Sequence, residues 1–288
     1  MRRAVAAAFV VAFTLCLPSL SAARTLSEEW HSWKTRHEKV YVDRGEENVR
    51  QQIWIQNRAR ISAHNRGNTS FTLALNQFAD MVSDQRRCRA SWAFSAAGAM
   101  EGQYAKSCGK LVALSAQQLV DCSWKYGSQG CNGGSPSKAF SYVVDNGICS
   151  SVNYPFLGFM WQCMAQYCGK SASAIDERMV RPQNETDLLD ALYHVGPLSV
   201  MVDGSSYNFL FYEDGVFSDT NCGCDETSLN HAMLLVGYVA YEESQQSYWI
   251  LKNSWGVSWG ADGYMLLQRG QNMCGIATQA TYPVVISM

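Results

Sequence analysis

The stretch from Asp84 to Ser95, DQRRCRASWAFS, leads into a segment whose first residue could do chemistry. The following run, residues 91–106, is apolar and rich in alanine, which predicts a buried helix. Ser91 opens that helix, where exposed N–H groups and the helix dipole favour negative charge. A serine hydroxyl is not ionised near neutral pH, so it needs a base at the moment of attack. The stretch therefore indicates either an enzyme with a hydroxyl nucleophile or a protein that keeps a catalytic fold for another purpose.

Residues 88–92, CRASW, match in kind the local signature C-G-S/A-C-W/Y of papain and the cathepsins, which have His and Asn far downstream. His231 lies 140 residues after Ser91, in SLNHAMLLVGY, and Asn253 lies 162 residues after it, in LKNSWGVSWG. On these residues the chain resembles a papain-like cysteine peptidase of the cathepsin L type, over nearly its whole length. Predicted helices precede predicted strands, which favours a two-lobed α+β body. The resemblance implies the papain-like form of it, a helical lobe and a β-barrel-like lobe behind a helical propeptide.

The resemblance also implies a role for each residue around Ser91. His231 resembles the general base, Asn253 the residue that orients its imidazole, and Trp255 the shield of their hydrogen bond. Gln85 matches the glutamine that forms an oxyanion hole together with the backbone N–H of residue 91. The implied substrate-binding positions are a backbone rail at Gly133 and Gly134 and an apolar pocket with a polar floor, lined by Pro136, Met201, Leu229, Ala232 and Gln279.

Two segments before Ser91 resemble the inhibitory propeptide of the same family. The first has the spacing of the family's E-R-F-N-I-N helix, with Trp in place of Phe; the second resembles G-x-N-x-F-x-D, with Ala in place of Gly. We therefore expect residues 24–83 to form a helical propeptide-like domain that acts as an intramolecular inhibitor, and residues 84–288 to form the peptidase domain. The matching positions are Glu46, Arg50, Trp54, Asn57, Ile61 and Asn65 in the first segment, and Ala74, Asn76, Phe78 and Asp80 in the second.

The N-terminal residues predict a secretory signal peptide. Arg2 and Arg3 form a basic region, residues 4–17 are apolar, and small residues at 21–23 predict cleavage after Ala23. We expect residues 1–23 to be removed and the product to reach the extracellular space or a lysosome-like vesicle. A membrane anchor is the weaker reading because the apolar run is short, and no later segment predicts a membrane span. Acceptor sequons for glycans at Asn68 and Asn184 fit a secreted surface.

The cysteines are expected to form disulfides in that oxidising compartment. Of the 11 cysteines, Cys16 lies in the signal peptide. The remaining ones are scattered and lack neighbouring histidines, so we expect no metal site and no cofactor. The resemblance implies the bridges Cys88–Cys131, Cys122–Cys163 and Cys224–Cys274, and it leaves the pairing of Cys108, Cys149, Cys168 and Cys222 open.

Three features depart from the family pattern. Ser91 cannot form the thiolate–imidazolium pair of a cysteine peptidase, which favours weak or altered activity. Arg89 replaces a glycine and either crowds the cleft with a cation or belongs to a solvated basic turn with Arg86 and Arg87. The N-terminal strand of the peptidase domain is also missing, because only four residues separate Asp80 from Gln85. That short junction reflects a skipped exon or gene-model error, or else a protein that never matures in the usual way.

Two hypotheses for function follow. The first is a hydrolase-fold protein that uses Ser91 and His231 on peptide or protein substrates. The second is a non-catalytic binding or matrix protein, or one like the silicateins, the cathepsin L-type proteins of sponges that condense silica and that also carry Ser after Ala; silicic esters or silica would then be the partner. The serine-rich cluster that many silicateins carry is missing here. A net charge of −2, with 17% charged residues, gives no indication of a nucleic-acid partner.

Overall fold

The computed structural model describes residues 25–81, 88–240 and 246–285. The expected signal peptide, Gln85 and the junction at residues 82–87 lie outside the described residues. The chain divides into two compact units, residues 1–40 and 41–288. No helix in the described part of the chain is long and apolar enough to cross a membrane.

The first unit contributes one described helix, α1 (Leu26–Arg36). Thr25 and Glu28 form a capping box at its start, in which each side chain bonds the backbone of the other. Trp30 and Trp33 stack on one face with ring centroids 5.3 Å apart. Lys34 lies 5.5 Å above the Trp30 ring, so the aromatic pair also carries a cation.

The second unit contains the remaining helices, joined by short 3-10 turns. The α-helices are α2 (Arg44–Asn65), α3 (Ser91–Cys108), α4 (Ala116–Cys122), α5 (Pro136–Asn146), α6 (Glu185–Val195) and α7 (Tyr207–Phe211). Their starts follow capping chemistry: Asp43, Ser115 and Asn184 each accept a backbone N–H of the first turn.

An eight-stranded sheet forms the other part of this unit. The strands are β1 (Phe71–Leu73), β2 (Asp176–Met179), β3 (Leu198–Val202), β4 (Tyr212–Phe217), β5 (His231–Val239), β6 (Tyr248–Lys252), β7 (Tyr264–Gln268) and β8 (Ala280–Val284). Their order is β1-β4-β7-β6-β5-β3-β8-β2. Only the pairing of β4 with β7 is parallel among the described strands. Helices first and strands later thus form the α+β body that the sequence predicts.

Helix α3 lies against the sheet because small residues line its buried face. A Cβ atom on Gly98 would lie 2.7 Å from Leu234 of β5, so the helix approaches the strand too closely for a larger residue. The hydroxyl of Ser95, buried in the same face, donates to the carbonyl of Met233 at 2.7 Å and lies 2.5 Å from the hydroxyl of Ser199. These contacts fix the start of α3 beside the start of β5.

Helix α2 holds the chain segment that follows it through buried amides. Asn57 donates to the carbonyls of Ala79 (2.9 Å) and Met81 (3.2 Å). Asn65 both donates to the carbonyl of Leu73 (2.7 Å) and accepts its N–H (2.9 Å). Amide side chains of α2 therefore satisfy backbone groups of this segment.

The same segment is attached to the sheet and to the loop after β6. Strand β1 pairs antiparallel with β4, Phe71 facing Gly215. Asn76 donates to the carbonyl of Leu210 at 2.8 Å, and Gln77 donates to the carbonyl of Trp255 at 2.9 Å. The second motif of the propeptide resemblance is thus bonded to the peptidase part of the chain.

Candidate active site

Ser91 is the first residue of α3, and its hydroxyl points toward β5. The N–H of Ala232 donates to Ser91 Oγ at 3.2 Å. Among the described residues no side chain caps the helix at Ala90, and the first turn contains no acidic residue. The positive end of an 18-residue helix is therefore left for a negative charge that develops near Ser91.

His231 and Asn253 form a buried pair next to this hydroxyl. His231 Nε2 lies 2.9 Å from Asn253 Oδ1, and the two residues are 3% and 8% exposed. Asn253 Oδ1 also accepts the N–H of Ser254 at 2.8 Å, so this amide atom is the acceptor. Because an amide oxygen only accepts, Nε2 must carry the hydrogen, and the ring leaves Nδ1 as its basic nitrogen.

Aromatic rings exclude water from this pair. Trp255 lies over His231 with ring centroids 4.7 Å apart, and Phe209 meets the imidazole edge-on at 5.9 Å. Asn253 Nδ2 is buried and has no hydrogen-bond partner within the described part of the chain. A dry environment strengthens the bond between His231 and Asn253, since the local dielectric constant is low.

A carboxylate, Asp203, joins the loop after β3 to the loop that precedes His231. It accepts the N–H and hydroxyl of Ser205 (3.0 and 2.6 Å), the N–H of Gly223 (2.8 Å) and the side-chain amide of Asn230 (2.8 Å). Burial raises the pKa of Asp203, but these hydrogen bonds outweigh it and hold the pKa below its usual value. The charged form therefore persists in mild acid and keeps Asn230, and with it His231, in place.

The cleft beside Ser91 has a volume of about 890 Å³. Residues of the expected propeptide-like domain and of the expected peptidase domain both line it. Phe94 and Phe156 meet edge-to-face on one side, with centroids 4.7 Å apart. Helix α2 contributes another wall, which includes Ile53 and Arg60. Arg89 is exposed and also lines the cleft. Its neighbours Arg86 and Arg87 lie outside the described residues.

The segment from residue 71 to residue 81 covers the aromatic shield of His231. Phe78 meets Trp255 edge-on at 5.4 Å, and the hydroxyl of Ser258 donates to Gln77 at 2.9 Å. Tyr41 donates to Asp80 at 3.0 Å, which secures the end of the segment. The shield and the covering segment therefore share contacts, as expected of an inhibitory segment bound to its own domain.

The chain matches the profiles of two protein families. The profile of the papain family cysteine protease matches residues 71–284, and the profile of the cathepsin propeptide inhibitor domain matches residues 30–85. The chain belongs to the papain family of cysteine proteases. It is a peptidase of the cathepsin L group with an inhibitory propeptide region.

Named relatives and solved structures agree with this assignment. Cathepsin L from Sarcophaga peregrina is 35% identical, covering 96% of this chain and 98% of the relative. Cathepsin L2 from Homo sapiens is 34% identical, covering 98% of each chain. The structure of digestive procathepsin L 3 from the larval midgut of Tenebrio molitor superposes with a TM-score of 0.83 at 35% identity, covering 91% of this chain and all of the other. The stem bromelain precursor gives a TM-score of 0.81 at 31% identity, covering 90% and 99%.

Two glycines that the papain resemblance assigns to a backbone rail follow the disulfide Cys88–Cys131. Gly133 has φ of +128°, a conformation that side chains rarely adopt. A Cβ atom on Gly134 would lie 2.5 Å from the indole of Trp92, the second residue of α3. Glycine is required at both positions, by backbone conformation at one and by packing at the other.

Two of the five residues expected to line the apolar pocket lie on adjacent strands of the sheet. Met201 of β3 faces Ala232 of β5, and its N–H donates to the carbonyl of Gln279 at 2.9 Å. Leu229 packs on the turn at Gly275. Pro136 lies apart from these strands, as the buried first residue of α5. The binding role of all these residues stays a prediction.

The structure forms four disulfides among the described cysteines and corrects one expectation. Cys88–Cys131 and Cys122–Cys163 are present as the resemblance implies, and Cys149 pairs with Cys168. The expected bridge Cys224–Cys274 is wrong: Cys274 pairs with Cys222, and the Cα atoms are 4.9 Å apart.

The position of the Cys224 backbone explains the exchange. Its carbonyl accepts the hydroxyl of Thr278 at 2.7 Å, and its Cα would lie 3.3 Å from a Cβ atom on Gly275. The backbone of Cys224 is thus held against the turn that contains Cys274, while its side chain is exposed and its thiol is free. Cys222 is left to close the bridge. Cys108 is the other free, exposed cysteine of the described chain.

Sequence reasoning did not identify Asp203, Phe209 or Tyr207 as parts of the site. Asp203 follows a strand-like run, a position where acidic residues are common in turns. The four groups that donate hydrogen bonds to it belong to three residues at separate positions in the chain, which no local pattern links. Phe209 and Tyr207 belong to a five-residue helix too short to show a periodic pattern. Within the described residues, no cluster of His, Cys, Asp and Glu could hold a metal ion.

Proposed function

We propose that the chain is a papain-family hydrolase that acts on peptide bonds through Ser91, His231 and Asn253, with low turnover. We also propose that residues 24–83, the propeptide-like domain, stay joined to the peptidase domain at residues 84–288. The observation that carries the proposal is the bond from His231 Nε2–H to Asn253 Oδ1, beneath Trp255 and beside the Ser91 hydroxyl.

The proposed reaction follows from the tautomer of His231. Ser91 Oγ attacks the carbonyl carbon of the scissile peptide, and Nδ1 of His231 takes the hydroxyl proton. The resulting oxyanion is stabilised by the N–H of Ser91 and, by family resemblance, by the side chain of Gln85. Collapse breaks the C–N bond and the amine leaves with the proton from Nδ1. Water then attacks the acyl ester by the same route and regenerates Ser91.

Low turnover follows from the chemistry of residue 91. A cysteine in such a site is a thiolate before substrate arrives, whereas the serine hydroxyl must lose its proton during attack. The hydroxyl also accepts the N–H of Ala232, which lowers the electron density available for attack. Activated esters, whose leaving groups need no protonation, are the substrates on which such a site should work best.

Continued attachment of the propeptide-like domain is supported by the length of the junction. Only four residues lie between Asp80 and Gln85. The alignment with the Sarcophaga peregrina relative extends over 335 positions, more than the 288 residues of this chain, so it contains gaps in this chain. A processing enzyme needs an exposed, extended segment of several residues, and a junction this short offers little of one.

Export to the extracellular space or a lysosome-like vesicle belongs to the same proposal. Four disulfides among the described residues suit an oxidising compartment. Peptide or protein substrates are proposed because the chain belongs to the papain family of peptidases and a cleft lies beside Ser91. No observation on the described residues favours silicic esters or silica as the partner.

Acylation by an activated ester tests the proposal on the full-length chain. We expect p-nitrophenyl acetate to release nitrophenol in a burst and to leave an acetyl group on Ser91, located by peptide mass spectrometry. Ser91→Ala should abolish this acetylation, and His231→Ala should slow it by about 100-fold. Ser27→Ala serves as the control, because it removes an exposed hydroxyl on α1, outside the unit that contains Ser91.

Two results would contradict the proposal. Ser91 could remain unmodified in the folded parent, or the nitrophenol burst could be the same in the parent and in Ser91→Ala. Either result would favour the non-catalytic hypothesis, in which the fold serves binding alone.

A further inference from the structure

The walls of the cleft beside Ser91 carry charge of one sign. Among the described residues that line it, the arginines Arg60 and Arg89 are fully charged and no Asp or Glu is present. The N-terminus of α3 adds partial positive charge, since it has neither a side-chain cap nor an acid in its first turn. A ligand in this space therefore meets a positive potential, although the net charge of the whole chain is −2.

Arg89 is held at the cleft by its backbone. Its N–H donates to the carbonyl of Cys131 at 2.9 Å, and the preceding residue, Cys88, is bonded to Cys131 through a disulfide. Ser91 follows two residues later. The backbone of Arg89 is thus held two residues before the reacting hydroxyl, and its exposed side chain lines the cleft.

Arg60 faces the cleft from helix α2. Its guanidinium lies 5.5 Å from the ring of Tyr207, whose hydroxyl donates to the carbonyl of Asn57 at 3.1 Å. The contact with the ring positions the cation, and both side chains line the cleft. Because α2 belongs to the propeptide-like domain, this cation is present only while that domain stays attached.

We propose that this cleft selects peptides that carry an acidic side chain, with Arg89 as the specificity-determining residue and Arg60 as a second contact. The inference rests on the proposed function for the identity of the cleft as the peptide site. Guanidinium groups bind carboxylates with two parallel hydrogen bonds, a geometry that amide side chains do not match. An aspartate-containing peptide and its asparagine analogue have nearly the same shape, so they isolate this charge.

Direct binding to the full-length chain tests the inference without any chemical step. Two fluorescein-labelled blocked pentapeptides, identical except for Asp or Asn at the central position, are titrated at low ionic strength and followed by fluorescence anisotropy. We expect the Asp peptide to bind about five- to tenfold more tightly, with the difference reduced by added salt. Arg89→Gln should reduce the difference to less than about twofold, and Arg60→Gln should reduce it in part.

Two further variants sharpen the experiment. Arg66→Gln is the matched control, because Arg66 is an exposed arginine at the end of α2 outside the cleft lining, and it should leave the preference unchanged. In the Arg89→Glu variant, the peptide with Lys at the central position should bind more tightly than the peptide with Asp there. Circular dichroism verifies that each variant is folded.

The inference is overturned if the folded parent binds both peptides equally or neither of them, or if Arg89→Gln keeps the full preference for Asp. Failure of the proposed function gives a different pattern of results from failure of this inference. If Ser91 is never acylated but the preference for Asp is present and depends on Arg89, only hydrolysis is refuted, and the cleft is an acid-selective binding site.

Discussion

At the scale of single residues, Asn253 serves the site at a cost to the fold. Its Oδ1 accepts from His231 and from the N–H of Ser254, while its Nδ2 is buried without a partner. A buried donor without an acceptor costs about 1–3 kcal/mol. A residue that improves orientation of the imidazole while leaving a donor unsatisfied is better explained by chemistry than by stability.

Replacement of Asn253 by Ala should therefore separate activity from stability. The unsatisfied donor is lost, but the N–H groups of His231 and Ser254 lose their acceptor, so the effects partly offset and we expect the free energy of unfolding to fall by at most about 2 kcal/mol. The rate of Ser91 acylation should fall at least about tenfold, because the imidazole loses its fixed tautomer and orientation. Urea unfolding and the ester burst measure the two effects. A loss of stability in proportion to the loss of rate would mean that Asn253 is structural.

The exchanged disulfide gives a second prediction at this scale. Under non-reducing conditions, alkylation of the folded chain should modify Cys224 and Cys108 and leave Cys222 protected. Peptide mapping should then recover Cys222 joined to Cys274. A peptide that joins Cys224 to Cys274 would restore the pairing implied by the family resemblance. Sequence alone could not decide between two cysteines separated by one residue, because the choice depends on the contact between the Cys224 backbone and the turn at Gly275.

At the scale of elements, helix α2 and the irregular segment after it lie beside the site. Helix α2 has few apolar side chains for its length; its buried residues are Trp54, Asn57 and Ile61. The segment after it contains only three strand residues, and it is held by amide hydrogen bonds to α2 and α7 and by the pairing of β1 with β4. Attachment of this segment therefore depends in part on a few polar side chains, and these can be removed one at a time.

Asn57→Ala should loosen the segment that covers Trp255. Both hydrogen bonds from the amide, to Ala79 and Met81, are lost, and their buried carbonyls are left unpaired, which costs about 1–3 kcal/mol. We expect amide hydrogen exchange in residues 74–81 to accelerate about tenfold or more. Gln52→Ala is the control, since Gln52 is exposed on the same helix. Equal exchange in both variants would show that the hydrophobic contacts alone hold the segment.

At the scale of the whole molecule, the order of helices and strands and the positions of Ser91, His231 and Asn253 were predictable from the sequence. Apolar periodicity marks α3 and the long strands, and the motif residues reach one site because α3 packs on β5. The network of Asp203 and the wall that α2 adds to the cleft were not predictable. Both arise from contacts between residues far apart in the chain, which no local pattern records.

The short junction gives a prediction about maturation. Full-length protein kept in mildly acidic buffer, alone or with an added active cathepsin L, should retain its propeptide-like domain. Gel electrophoresis and N-terminal sequencing monitor the reaction, with the Asn57→Ala variant as a comparison of higher accessibility. A discrete product that begins shortly before Gln85 would show that the junction is processed after all, and Arg60 would then be absent from the mature cleft.

The central claim is that the site is organised for catalysis and lacks only a thiolate. The measurement is the rate of alkylation of Ser91→Cys by a thiol-directed epoxide at about pH 5.5, where a thiol of ordinary pKa, about 8.5, is almost fully protonated. Cys108 and Cys224, free and exposed in the same molecule, serve as internal controls in the peptide map. We expect the introduced thiol to react at least about 100-fold faster than either, because His231 converts it to a thiolate. If the variant is folded and its introduced thiol reacts no faster than Cys108 and Cys224, the site is not catalytically organised and the account is wrong.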